Sequence, residues 1–236
     1  MAPAGAVLTT TLLLIAVGAF AAQTYVPVHE EPRHRLVWES QNVRVLDLLI
    51  PPGDTTKFHI HNSPIFYVTL TPGSLRTQRA GERWVTPTGR PSGPGSVRFD
   101  DSYKETPVIH RVSNSGETQI RSILVLNERE SPREIGDRVV ILPGKQEIDS
   151  KWFRQSRVTL EAGDKLEWEG ARARIVAVLV SGSHVLITKR KSEVEPPTTA
   201  HGMTMPGDSV NFNGRSGYTF ENRSSDTVTL IVVAVL

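Results

Sequence analysis

The sequence contains no cysteine in 236 residues. That excludes a disulfide framework, a thiolate metal ligand and a cysteine nucleophile. It also lacks a basic block with interleaved aromatics, and the formal net charge is only +2. The electrostatic footprint of a nucleic-acid-binding protein is therefore missing. No long segment of 3.6-residue hydrophobic period follows the N-terminus, which argues against a helical bundle. Residues 1–22 carry no charged side chain and hold the apolar run Leu12 to Phe20. The run is too short for a comfortable membrane span. It ends in Ala19-Phe20-Ala21, a small-x-small pattern that predicts a secretory signal peptide over residues 1–22. The expected destination is periplasmic or secreted, with no membrane attachment after cleavage. No Lys or Arg follows Met1 in this segment, so an uncleaved membrane anchor is the alternative.

What the chain does have is punctuation. Eighteen glycines and sixteen prolines are spread along it, as expected of many short strands joined by turns. Residues 23–35 read as an extended lead-in, with His29 and His34 on its surface. Leu36 to Trp38 and Val43 to Ile50 read as strands around a Gln41-Asn42 turn, and Gln119 to Asn127 as a strongly apolar strand. The class is all-β, and the length suits one large or two small β domains.

The densest chemistry lies between Gly53 and Gly73. His59 and His61 stand two apart in a run that reads as β-strand, so they share a face. Ile65 to Leu70 reads as the next strand, with Phe66 and Tyr67 on opposite faces. A third histidine, His110, sits in Thr106-Pro-Val-Ile-His110-Arg-Val-Ser-Asn114. Three neutral imidazoles on a rigid sheet can hold a divalent ion and leave positions open for water or substrate. The bland alternative is three polar side chains at a half-solvated barrel mouth. Asn114 reads as a turn residue that bonds backbone. Phe58, Phe99, Trp168 and Phe212 read as core.

The second half repeats the first. Leu160-Glu-Ala-Gly163-Asp164 matches Ile50-Pro-Pro-Gly53-Asp54, Ile175 to Val178 falls on Ile65 to Val68, and Tyr218 to Asn222 falls on His110 to Asn114. Matches at nearly one offset argue for an internal duplication. The histidines are not repeated: the ungapped alignment sets Glu169 opposite His59, Ala171 opposite His61 and Tyr218 opposite His110. Their joint loss is the pattern expected if they act as a set in the first half. The expected organisation is residues 23–130 as a first barrel with the candidate metal site, 131–154 as a connection, and 155–236 as a second barrel without it.

These residues resemble the cupin superfamily, a double-sheet jelly-roll barrel (double-stranded β-helix). Gly53, His59, His61 and Gly73 fall at the spacing of the first cupin motif, and His110 with Asn114 matches the end of the second. Two tandem copies look like a bicupin. The resemblance implies a divalent metal (Fe, Mn, Ni, Cu or Zn) on His59, His61 and His110, and a small-molecule ligand or substrate. It implies dioxygenase- or isomerase-type chemistry, with non-catalytic binding of a small ligand or metal as the alternative and a purely structural, metal-free bicupin as a third. A homodimer is compatible with the exposed sheet edges such barrels carry. The glutamate of the common cupin site falls at Phe66 here. Asp100, Asp101 and Glu105 are the candidates to replace that carboxylate. A site of histidines alone would hold hard ions less tightly and attract an anionic ligand.

Overall fold

The structure, a computed structural model, describes residues 25–86, 88, 92–132, 140–190, 200–213 and 215–236. The expected signal peptide over residues 1–22 lies outside them. In the first half the strands are Val26–Pro27 (β1), His34–Ser40 (β2), Val43–Ile50 (β3), His59–His61 (β4), Ile65–Thr71 (β5), Leu75–Arg79 (β6), Val97–Asp100 (β7), Val108–Asn114 (β8) and Ile120–Asn127 (β9). In the second they are Lys145–Asp149 (β10), Phe153–Leu160 (β11), Lys165–Trp168 (β12), Arg174–Ser181 (β13), Val185–Lys189 (β14), Ala200–Met203 (β15), Ser209–Asn213 (β16), Tyr218–Asn222 (β17) and Val228–Val235 (β18). The stretch 131–154, expected as a connection, thus carries β10 and the first two residues of β11. Among the described residues no helix is long and apolar enough to cross a membrane.

Each half is a four-stranded sheet facing a five-stranded one. The first half has the orders β1-β4-β8-β6 and β2-β3-β9-β5-β7, and the second β12-β17-β14-β15 and β10-β11-β18-β13-β16. The two five-stranded sheets pack back to back. Their strands are therefore buried on both faces and read as nearly unbroken apolar runs. Along β13, Ile175, Ala177 and Leu179 point into the second barrel, while Val176, Val178 and Val180 point into the joint. Along β5, Ile65 and Tyr67 point into the first barrel, while Phe66, Val68 and Leu70 enter the joint. The Phe66 ring is fully buried there, 5.6 Å from that of Phe153.

The duplication is visible in hydrogen bonds. Gly53 adopts φ +76° and Gly163 φ +78°, which glycine adopts without strain. Their N–H groups donate to the carbonyls of Asn114 and Asn222 respectively. The Asn114 amide donates to Ile50 O and Thr118 O, and the Asn222 amide to Leu160 O, Glu161 O and Asp226 O. Both asparagines thus tie a strand end to the turn beside it, as the sequence suggested for Asn114. Gly73 is needed for space, because a Cβ there would stand 2.1 Å from Ile120 Cγ1.

Two of the expected core aromatics are not core. Phe99 is 36% exposed, and Phe58 is half-buried between Tyr25 and Arg111. Each sits on a strand or lead-in whose outer face meets solvent. Trp168 and Phe212 are buried as expected.

Replacing Asn222 with Ala would leave three carbonyls short of a partner. The expected outcome in urea unfolding is a loss of about 1–3 kcal/mol.

Candidate metal centre

Strand β4 pairs antiparallel with β8 in a register that sets His59 directly opposite His110. Residues directly opposite on neighbouring strands share a face, and His61 shares that face by alternation. All three rings therefore enter the first barrel. His59 and His61 are buried and His110 is half-buried. One ligand atom from each lies within 4.8 Å of the others, and His59 Nε2 stands 3.1 Å from His61 Nε2. The expected trio is thus brought together.

The tautomer of His59 follows from its neighbour. Its Nδ1 lies 2.9 Å from the Lys57 carbonyl, which can only accept. Nδ1 therefore carries the proton, and the neutral ring presents a bare Nε2 to the cavity. Burial, with the charges of His34 and His110 behind it, pushes His59 down to about 3. Burial, with His34 and Arg98 behind it, pushes His110 down to about 4. Burial and the two other histidines hold His61 well below its ordinary value. The three rings are neutral at pH 7, with nitrogen lone pairs available.

His34 does not lie on the surface. It is 3% exposed, opens β2 and lines the same cavity, its ring 4.7 Å from that of His59. Its Nδ1 pairs at 2.7 Å with Glu31 Oε2, and Glu31 is itself buried. Burial alone would raise the Glu31 carboxyl. The bond to His34 and the backbone N–H groups of Lys57 and Arg33 outweigh it and hold the carboxyl low. Glu31 thus stitches the lead-in to the approach of β4. The lead-in has no strand periodicity before His34, so no sequence signal aimed either side chain inward. His29 is half-exposed and stays outside the cluster.

No carboxylate joins the three histidines among the described residues. Asp100 caps the short 3₁₀ turn Ser102–Lys104, taking the Ser102 N–H and hydroxyl at 3.0 and 2.6 Å. Glu105 pairs with Lys151, and Asp101 leads into the turn. What that turn delivers is Tyr103, whose ring lies 5.0 Å from His61. Phe66, at the motif's glutamate position, faces the joint between the barrels. The inward neighbour is Tyr67, capped by the Arg98 guanidinium 3.8 Å above its ring. Burial raises both phenols, so both keep their protons. Tyr67, Tyr103 and Arg98 went unassigned in the sequence because inward alternation alone does not mark a site.

These side chains line a cavity of about 400 Å³, within the range of small-molecule sites. Its wall mixes hydroxyls (Thr69, Thr71, Ser122) with Leu48, Val112 and Ile120. Arg98 lines it too, and no carboxylate pairs with Arg98 among the described residues.

The second barrel is filled instead. Trp168 pairs with Tyr218 as His59 pairs with His110, so Trp168 occupies the His59 position. The ungapped alignment had set Glu169 there. The second copy is one residue shorter between its turn and its strand, and Glu169 lies outside, paired with Arg190. Trp168, Phe212, Tyr218 and Phe220 pack together where the first barrel has its cavity.

Two tandem double-sheet barrels, one holding three convergent histidines, make this a bicupin fold. No protein-family model and no curated protein matches the sequence. Solved structures match the fold. AerE from Microcystis aeruginosa superposes with a TM-score of 0.57 at 12% identity, over 87% of this chain and 98% of that one. An oxalate decarboxylase from Lactobacillus farciminis, in a formate complex, gives 0.57 at 12% identity over 83% and 77%. The oxalate decarboxylase of Bacillus subtilis, studied for its Mn(II) centres, gives 0.52 at 14% identity over 83% and 69%. At such identities the likeness establishes the fold alone.

The lowered histidines set a pH dependence. Unfolded histidines titrate near 6.5, whereas His59 and His110 stay neutral in the fold down to about 3 and 4. Between those values the unfolded chain binds more protons. This contribution to stability is whole above about pH 6.5 and is lost as pH falls toward the folded values. The urea midpoint of the metal-free protein should fall from pH 7 to pH 5. Replacing His59, His61 and His110 together with Gln should flatten that slope.

Proposed function

We propose that the first barrel binds one divalent transition-metal ion on His59, His61 and His110 and acts on a small, oxygen-rich organic molecule in the cavity. The observation that carries this reading is the meeting of three neutral imidazoles in a cavity with room beside them. The donor set fits an ion. Three neutral imidazole nitrogens suit Mn, Fe, Ni, Cu or Zn. The Mn(II) centres of the B. subtilis neighbour point the same way.

A bound ion would supply Lewis-acid or redox chemistry. The chain supplies the rest. Arg98 draws an anionic oxygen toward the histidines. Tyr67 and Tyr103 donate hydrogen bonds from phenols that keep their protons. Thr69, Thr71 and Ser122 bond the substrate's remaining oxygens, and Leu48, Val112 and Ile120 shield it from water. Small carboxylic acids suit this wall, and the neighbours' oxalate and formate are of that class. Dioxygenase- or isomerase-type turnover is the reading we favour, in a protein delivered to the periplasm or beyond after removal of residues 1–22. A non-catalytic binding protein is the second reading, favoured by the missing carboxylate at the cluster and the filled second barrel.

Metal analysis of protein expressed from residue 23 onward, purified without a metal-binding tag, tests the proposal. Near one ion per chain is expected, falling below about a tenth of that in the His59→Ala/His61→Ala variant. A wild type that takes up none of Fe, Mn, Ni, Cu or Zn on incubation contradicts it.

A further inference from the structure

A second cavity, of about 560 Å³, opens at the joint between the barrels. It shares no lining residue with the histidine cavity. Asn42 comes from the β2–β3 turn and Arg129 from the segment after β9, both in the first half. Arg172 lies just before β13 and Arg174 opens it, while Asn213 ends β16 and Arg215 follows it, all in the second. Arg129, Arg174 and Arg215 thus bring three guanidiniums from three separate segments to one space, beside an Arg172 that is already engaged. Arginine stays charged at any physiological pH, so gathering these three is unfavourable without counter-charge.

The described lining holds no carboxylate. The acids on the adjoining first-half elements are already engaged: Arg44 on β3 binds both Glu39 and Glu128. Arg174 is steadied by an aromatic ring, with Trp38 lying 5.3 Å from its guanidinium. Arg129 Nε is buried with no hydrogen-bond partner. A buried charged donor without an acceptor is unfavourable, and an oxyanion in the cavity would provide one. Planar guanidinium forks bind phosphate and carboxylate in two-point fashion, and the volume is that of a small-molecule pocket.

We propose that this cleft is a binding site, separate from the histidine cavity, for a small molecule bearing two or more oxyanion groups. The anion bridges the two barrels, with Arg129 on one side and Arg174 and Arg215 on the other. Phosphate and carboxylate share this chemistry, so the test carries both.

Isothermal titration of the protein from residue 23 onward with inorganic pyrophosphate, and separately with citrate, tests the proposal. One equivalent of at least one probe should bind, and binding should weaken as salt rises. The Arg215→Gln variant, at an exposed position, should weaken it at least fivefold, and Arg174→Gln/Arg215→Gln at least tenfold. The His59→Ala/His61→Ala variant should bind as the wild type does, which separates this site from the first barrel. Failure of both probes to bind at millimolar concentration overturns the proposal. So does binding that survives the arginine substitutions, or binding that is lost with the histidines.

Discussion

The antiparallel pairing of β4 with β8 sets His59 opposite His110, and the site depends on that register. A slip of one residue would turn all the histidines of one strand out of the barrel. The register is held at the turn: Gly53 N–H bonds Asn114 O, and the Asn114 amide reaches back to Ile50. The motif glycine and asparagine are therefore parts of one clamp that aims the imidazoles. The same clamp in the second barrel aims Trp168 and Tyr218 at each other, and aromatic packing replaces the cavity. One backbone device thus serves two ends, a site in one copy and a core in the other.

The back-to-back packing of the five-stranded sheets decides what surrounds the histidines. It claims alternate residues of β5 and β13 for the joint. Phe66 is drawn there, so the inward positions next to it belong to Ile65 and Tyr67. The inward phenol of Tyr67 is covered by Arg98 and offers no carboxylate to the cluster. Among the described residues no carboxylate joins the cluster, and the buried Glu31 is held by His34 Nδ1 and by the backbone N–H groups of Arg33 and Lys57. A bound ion would therefore retain its positive charge toward the cavity, which suits an anionic ligand.

Much of this was legible in the sequence. Alternation put His59 and His61 on one face, and the match of His110 and Asn114 to the motif added the third ring. The duplication was legible because Gly163, Asp164 and Asn222 repeat the clamp. The exact partner of His59 was not, since a one-residue deletion between turn and strand leaves no mark in an ungapped alignment. His34 and Glu31 were illegible for another reason: a buried, mutually bonded polar pair in a segment without periodicity reads as polar surface. Phe66 was read at the motif's glutamate position, but which of two alternate faces enters a barrel depends on the packing of a second sheet 110 residues away in the repeat. The arginines of the joint lie far apart in sequence and meet only when both barrels are in place.

The most direct measurement is an anomalous-difference map from crystals of the protein loaded with Mn(II). The account predicts one strong peak in the first barrel, bonded to His59, His61 and His110 nitrogens, and none among Trp168, Phe212 and Tyr218. A map with no peak at the three histidines, or with its only peak on surface carboxylates, would contradict it.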